Sequence, residues 1–421
     1  MLGVAAPSYK GRPILVVDDE PINLELMQRF LRGKYGPILT AHDGEQGLAI
    51  LEREPIHLIL SDQRMPRMDG VTLFQKALSV QPDSKRVLVT GHTDLDMVIT
   101  AINAGQAYQY VTKPIDFKAL DVIIQRALEA YEIAARERML FDRFVRAAVT
   151  AIEQRDPSTA GHSERVANMT VGFARLLHDR QAGRFTELRF SPDDLEQLRY
   201  ASLLHDFGKI GVREHVLVKS HKLPPDRRQL VELRIEHAVQ TGLASKDEAH
   251  AMRVALLTLN DPLGSPAGHG DMLALLAKMG VLAEGDEEYL RIGRGSLSAA
   301  ERAEIESHVR HTISFLEHIP WPNRLARVVE IAGAHHEKLN GRGYPFGKSV
   351  IPIEARMMAI TDIYDALTAA DRPYKTALPH EAALDILAGS VRQGELDEEL
   401  YTIFREDRIY ELSLEPARSV S

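Results

Sequence analysis

Cysteine is absent from all 421 residues. That excludes disulfides and thiolate metal sites, fits a reducing compartment, and leaves any metal to His, Asp or Glu. Basic runs with interleaved aromatics are also missing, and the formal net charge is −9; polymeric nucleic acid is therefore not an expected ligand. The opening stretch "MLGVAAPSYKGRP" lacks the apolar core of a signal peptide, and no run approaches the length that spans a bilayer. The expectation is a cytoplasmic protein with no membrane partner. What is present is ordinary: 44% hydrophobic and 26% charged residues describe a globular chain, and this length predicts two or three domains.

From Ile14 the first third alternates short apolar runs with helical periodicity. "ILVV", "ILTA", "HLILS", "RVLVT" and "YQYVTKP" read as strands, with helices predicted around Leu24 to Leu31 and Glu45 to Glu52. Strict alternation predicts a doubly wound parallel sheet covered on both faces, with ligands at the carboxyl ends of its strands. Asp18, Asp19 and Glu20 close the first strand, Asp62 follows "LILS", Thr90 ends "RVLVT", and Lys113 follows "YQYVT". Each acid alone could be a helix cap. As an ordered set at successive strand ends they suit a Mg²⁺ site with one carboxylate left to attack a phosphoryl group.

The pieces "VVDDEP", "LSDQRMPRMDG", "VTGH" and "YVTKP" make residues 13–130 resemble the receiver domain of two-component response regulators, an α/β flavodoxin-like fold. The resemblance implies that Asp62 accepts phosphate from a sensor histidine kinase. It also implies that Asp18 and Asp19 help hold Mg²⁺ and that Thr90, Tyr110 and Lys113 carry the switch. From Asp116 to about Ile152 the pattern is helical, without Pro or Gly. It predicts that the last receiver helix runs into a helical linker at 131–152, whose spacing suits either a coiled coil in a homodimer or packing on its own domain.

Past residue 150 strand patterns stop, so the second domain is predicted to be all-α. Its histidines cluster in telling places: His162 in "GHSERV", His205 and Asp206 in "LLHDFGKIG", His308 in "IESHVRHT", and His335 and His336 in "HHEKLNGRGYP". Asp362 stands in "AITDIYDAL". Neighbours on a helix project about 100° apart, so a His-Asp pair suits two adjacent cations with the Asp between them, and the His-His pair shares that geometry. Lys209, one turn beyond His205, could meet a phosphate oxygen.

"HDFGK", "HHEKLNGRGYP" and "DIYDALTAADRPYK" make residues 153–400 resemble the HD-GYP family, phosphodiesterases of the HD superfamily that act on cyclic di-GMP. The resemblance implies a two- or three-metal centre, often iron or manganese, that hydrolyses cyclic di-GMP to pGpG or GMP. Carried over by position, His162, His205, Asp206, His308, His335, His336 and Asp362 are metal ligands, with Asp206 bridging and catalytic. Lys209, Arg372 and Lys375 contact phosphates, and Gly341, Gly343, Tyr344 and Pro345 line the site. The same loop surface is implied for a GGDEF-type or other signalling partner.

The pattern departs from the family in three places. A segment at about 213–296 separates "HDFGK" from His308, which makes His237 a rival ligand, although "LSAAERAEIESH" favours His308. That insertion could cap the site, meet a partner or merely decorate the domain edge. Asn340 stands where many members carry Asp. Ser158 stands where three-metal members have Glu, which favours two metals. Residues 401–421 are expected to form a C-terminal tail. The alternatives to cyclic di-GMP hydrolysis are an interaction module with structural metals and a phosphodiesterase for another cyclic dinucleotide such as cyclic GMP-AMP.

Overall fold

The computed structural model describes residues 9–91, 106–156, 160–180, 183–264, 269–369 and 377–414. The chain divides between Phe144 and Val145 into two compact units. In the first, the unbroken Ile, Leu and Val runs become strands β1 (Ile14–Val17), β2 (Ile38–Ala41), β3 (Leu58–Asp62), β4 (Lys85–Thr90) and β5 (Gln109–Thr112). Between them lie helices α1 (Pro21–Leu31), α2 (Gly44–Leu51) and α3 (Gly70–Val80). Polar residues start two of these helices: Asp43 accepts from the Gln46 N–H and Asp69 from the Thr72 N–H, each at 2.8 Å.

All the strand pairs are parallel, in the order β2-β1-β3-β4-β5. Alternation sends Ile14, Val16, Leu58 and Leu60 to a face shared with α1 and with Leu120, Ile124 and Leu128. It sends Leu15, Val17 and Ile59 to the face shared with Leu51 of α2 and with Leu73 and Phe74 of α3. This is the doubly wound sheet the alternating pattern predicts. Strand order reverses between β1 and β3, which opens a crevice at their carboxyl ends, beside Asp18 and Asp62.

One helix, Phe117–Arg155, follows β5 and runs unbroken past Phe144. The residues expected as a linker are therefore a continuation of the last receiver helix. After it, every regular element among the described residues is helical, as the loss of period-two patterning predicts. Capping boxes start several helices: Ser191 with Asp194, Ser245 with Glu248, and Ser298 with Glu301.

One expectation about this half needs correcting. Of the expected C-terminal tail, residues 401–414 are structured: the helix Glu398–Glu406 buries Tyr401, Ile403 and Phe404, and Ile409 is buried beyond it. The apolar spacing 400, 403, 404 is a helical stripe that the C-terminal position disguises. The described residues of the 213–296 segment pack around a core of their own. Its helices Pro225–Gln240, Lys246–Asn260 and His269–Lys278 surround a core of Leu223, Val231, Ile235, Met252, Leu256, Leu276 and Leu290, drawn wholly from the insertion. Its two ends meet where Ser296 donates to the Lys219 carbonyl at 2.8 Å, and Lys219 pairs with Glu301 at 2.7 Å. Among the described residues no helix is long and apolar enough to cross a membrane.

Candidate phosphoacceptor cleft and metal centre

At the crevice between β1 and β3, Asp18 and Asp62 are both buried. Asp18 is oriented by the Asn23 amide, at 3.0 and 3.1 Å, and by the Glu20 N–H at 2.9 Å. The Lys113 ammonium lies 2.6 Å from Asp62 and 3.5 Å from Asp18. Burial pushes the Asp62 carboxyl up, and Lys113 only partly offsets this. Thr90 is buried at the end of β4, Asp19 is exposed, and Tyr110 packs half-buried against the core beneath α2 and α3. Sheet register alone thus assembles Asp18, Asp62, Thr90 and Lys113 from segments far apart in sequence.

The second unit gathers His162, His205, Asp206, His308, His335, His336 and Asp362. Their candidate ligand atoms form overlapping groups: Asp206 with His308, His335 and His336; His162 with His205 and Asp206; and His205 with His335 and Asp362. Within each group the atoms lie within 4.8 Å of one another. The Asp206 carboxylate faces both ways. Its Oδ1 is 3.3 Å from His308 Nε2, and its Oδ2 is 3.5 Å from His205 Nε2 and 4.0 Å from His162 Nε2. Asp362 Oδ1 lies 3.1 Å from His162 Nε2 and 3.8 Å from His205 Nε2.

The donors of this set fit a cation. His205, His308 and His335 each donate through Nδ1 to the carbonyl three residues earlier, of Ser202, Ile305 and Ala332, at 2.7, 2.5 and 2.6 Å. A carbonyl accepts only, so Nδ1 carries a proton and Nε2 is the nitrogen of each ring left to face a cation. All three Nε2 atoms are buried without a hydrogen-bond partner. Orphaned acceptors beside two buried carboxylates are what a divalent cation satisfies. Burial first, then the neighbouring rings, hold His335 well below the ordinary imidazole range, and burial takes His336 down to about 4, so both are neutral as ligands must be. Burial opposes ionisation of Asp206, yet Lys209, His205 and His308 outweigh it and hold the carboxyl far below its usual range.

Local structure differs from the regular helix assumed for the dipeptides. His205 caps the helix Pro192–Leu204, and Asp206 turns into a short 3-10 segment, Phe207–Gly211. His335 and His336 occupy the turn after the helix Val328–Gly333. The reason is close packing. A Cβ on Gly208 would stand 1.9 Å from the His308 carbonyl oxygen, so the "HDFGK" backbone presses on the helix His308–Leu316. Thr312 stitches the contact by donating to the His205 carbonyl at 2.9 Å and accepting from the Gly208 N–H at 2.8 Å. His308 is therefore inside the centre, whereas its rival His237 lies exposed on the helix Pro225–Gln240.

Lys209 Nζ rests 2.6 Å from Asp206 and 3.8 Å from Asp156. Burial works against its charge, but these two carboxylates keep its pKa raised. Tyr344 packs on His336, with ring centroids 4.7 Å apart. Gly343 is needed there, because a Cβ would meet backbone atoms of residues 336–338 at 2.3–2.5 Å. Gly341 has φ +73°, and Pro345 accepts from Arg310 at 2.7 Å. Asn340 accepts from the Arg342 N–H and donates to the Gln393 carbonyl, a structural use of the amide. Arg372, Lys375 and Ser158 lie outside the described residues.

Four contributors escaped the sequence reading. Asp365 meets His162 Nδ1 at 2.7 Å, and Arg165 holds Asp365. Glu337 is buried and accepts from the Phe346 and Lys348 N–H groups, both at 2.8 Å, and Thr312 makes the stitch above. The signal for two of them was helical spacing: Asp365 follows Asp362, and Arg165 follows His162, by one turn.

The response regulator receiver domain model matches residues 14–125, and the HD domain model matches residues 244–400. The second match begins within the insertion and so leaves His162, His205, Asp206 and Lys209 outside it. A "Probable cyclic di-GMP phosphodiesterase" of Vibrio cholerae is 29% identical over 400 residues, 89% of this chain and 73% of that protein. The "Cyclic di-GMP phosphodiesterase response regulator RpfG" of Xanthomonas campestris is 27% identical over 407 residues, 90% of this chain and 83% of that one. The solved signal receiver domain of an HD domain-containing protein from Pseudomonas fluorescens is 34% identical, covering 32% of this chain and 99% of that one, with a TM-score of 0.29. The chain is a response regulator in which a receiver domain is followed by an HD domain.

Proposed function

We propose that the HD domain hydrolyses the phosphodiester bonds of cyclic di-GMP, to pGpG, GMP or both, and that phosphorylation of Asp62 controls it. The observation that carries this reading is the convergence of three buried, unpartnered imidazole Nε2 atoms on the carboxylates of Asp206 and Asp362. The printed names of two relatives that align over about nine tenths of the chain support the substrate.

In this reading His162, His205, Asp206 and Asp362 would hold one divalent ion, and Asp206, His308, His335 and His336 the other, iron or manganese as the family resemblance implies. Bound there, such ions supply an activated water and take up charge on the phosphoryl oxygens. Water adds to phosphorus, the bond from phosphorus to the ribose 3′-oxygen breaks, and that oxygen leaves with a proton. The residues of the chain orient this reaction. Asp206, with Oδ1 toward His308 and Oδ2 toward His205 and His162, would serve both metal positions. Lys209, kept cationic by Asp206 and Asp156, offers donors to a phosphoryl oxygen. Arg372 and Lys375 would contact the phosphates, as the family resemblance implies, and Tyr344, packed on His336, walls the site.

In the receiver, Asp18, Asp19 and Asp62 bind Mg²⁺, a sensor histidine kinase supplies the phosphoryl group to Asp62, and Thr90, Tyr110 and Lys113 report it. Exposed Ile133, Leu140 and Phe144 on the long helix support pairing with a second copy, and the GYP loop is the surface for GGDEF-type or other signalling partners.

The test is hydrolysis by the Mn²⁺- or Fe²⁺-loaded protein, prepared without oxygen, of cyclic di-GMP and cyclic GMP-AMP, with Asp206→Ala as control. Turnover of cyclic di-GMP that vanishes in the variant supports the reading. Turnover of cyclic GMP-AMP alone changes the substrate, and no turnover despite full metal loading leaves an interaction module.

A further inference from the structure

Three of the site histidines are aimed in the same way. His205, His308 and His335 each follow a turn of helix, and each spends its Nδ1 proton on the carbonyl three residues back. His162 is placed differently: it is the first residue of the helix His162–Arg180, directly after the turn at Ala160 and Gly161. Its Nδ1 instead donates to the Asp365 carboxylate at 2.7 Å. Asp365 is buried, and a buried carboxylate needs a counter-charge. Arg165 supplies it through Nε to Oδ1 at 2.7 Å and Nη2 to Oδ2 at 3.0 Å, the two-bond fork that fixes a carboxylate's plane.

The two helices interlock. His162 and Arg165 lie one turn apart on one, and Asp362 and Asp365 one turn apart on the helix Ile353–Thr368. Asp362 takes the Nε2 side of His162, 3.1 Å away, while Asp365 takes the Nδ1 side. Buried Thr170 and Thr361, whose hydroxyls are 2.7 Å apart, pin the same two helices farther along.

We propose that Asp365 and Arg165 are positioning residues that set the orientation and tautomer of His162 and so make one metal position of the centre bind more tightly than it would otherwise. The inference rests on the metal-centre reading above, and its consequence is asymmetry. The position served by His162 gains an imidazole backed by a carboxylate, which is a stronger electron donor than one backed by a carbonyl. The position served by His308, His335 and His336 gains nothing from this clamp.

Asparagine in place of Asp365 keeps the shape but fails the chemistry. Both side-chain partners of Asp365 here are donors, so the amide NH₂ of the Asp365→Asn variant would confront Arg165 in either orientation, and His162 as well in one of them. Calorimetric titration of the full chain with Mn²⁺ alone, with metal content measured in parallel, tests this. In Asp365→Asn, one of the two binding steps is expected to weaken about 10- to 100-fold while the other is unchanged; Arg165→Lys, which keeps the charge but loses the fork, weakens the same step by less. Circular dichroism establishes that each variant is folded. If Asp365→Asn fails to fold, Arg165→Lys, at a side chain 21% exposed, carries the test. Folded variants with both steps unchanged, or with both weakened equally, overturn the inference. A wild-type chain that binds Mn²⁺ in two steps but hydrolyses no cyclic dinucleotide overturns the phosphodiesterase reading and leaves the clamp standing.

Discussion

At the scale of single residues, the buried groups say most. Glu337 spends both carboxylate oxygens on the N–H groups of Phe346 and Lys348, so Glu337→Gln keeps only one acceptor and costs the loop about 1–3 kcal/mol. Hydrogen exchange at residues 344–348 is expected to rise by about an order of magnitude or more, as read by mass spectrometry on the folded variant. Lys222 is the opposite case: it is fully buried, its Nζ has no hydrogen-bond partner, and burial lowers its pKa. A cationic group whose folded pKa lies below the unfolded value, about 10.4, destabilises the fold at neutral pH and stops doing so as pH rises past the unfolded value. Lys222→Met is therefore expected to stabilise the protein by about 1–3 kcal/mol at pH 7, a gain that shrinks toward pH 11 in denaturant melts. Neither residue stands out in sequence. A glutamate after "HH" and a lysine in "SHKLPP" acquire these roles only when distant backbone closes around them.

At the scale of elements, the insertion is the chief departure from a simple two-domain plan. Its core is made from its own residues and its ends are joined at Lys219 and Ser296, so its stability is separable from that of the metal centre. Leu256→Ala, deep in that core, is expected to cost the insertion about 2–5 kcal/mol while Mn²⁺ binding by the full chain stays unchanged. Replacing residues 221–294 by a short Gly-Ser link should likewise leave metal stoichiometry intact, and loss of metal binding in a folded deletion variant would show that the insertion shapes the site. The helices of this segment were legible from their apolar periodicity. Their closure into one core was not, because a shared core depends on which faces meet, and periodicity specifies only that a face exists.

At the scale of the whole molecule, one unit carries a candidate phosphoacceptor cleft and the other a candidate metal centre, with the continuous helix Phe117–Arg155 belonging to both. If phosphorylation at Asp62 biases that helix between two states, hydrolysis is expected to change by about 5- to 150-fold, the usual range of coupling free energies. Treating the protein with acetyl phosphate and Mg²⁺ and measuring cyclic di-GMP turnover reads the effect. Asp62→Asn should abolish the response while leaving the basal rate. A phosphorylated wild type whose rate is unchanged would remove the receiver from control of the site.

The parallel sheet, the helical second half and the chemical types at the candidate site were legible in residue order. Unbroken apolar runs, 3.6-residue periodicity and the placing of acids and histidines are local properties. Residue order also singled out His308 over His237 by the residues leading into it. How those side chains are aimed became legible with the folded chain. The free Nε2 atoms of His205, His308 and His335 depend on carbonyls one turn behind them, the aim of His162 depends on Asp365 some 200 residues away, and the close approach at Gly208 depends on the helix that begins at His308. These are relations between elements in space, and one-dimensional spacing does not encode which elements will touch.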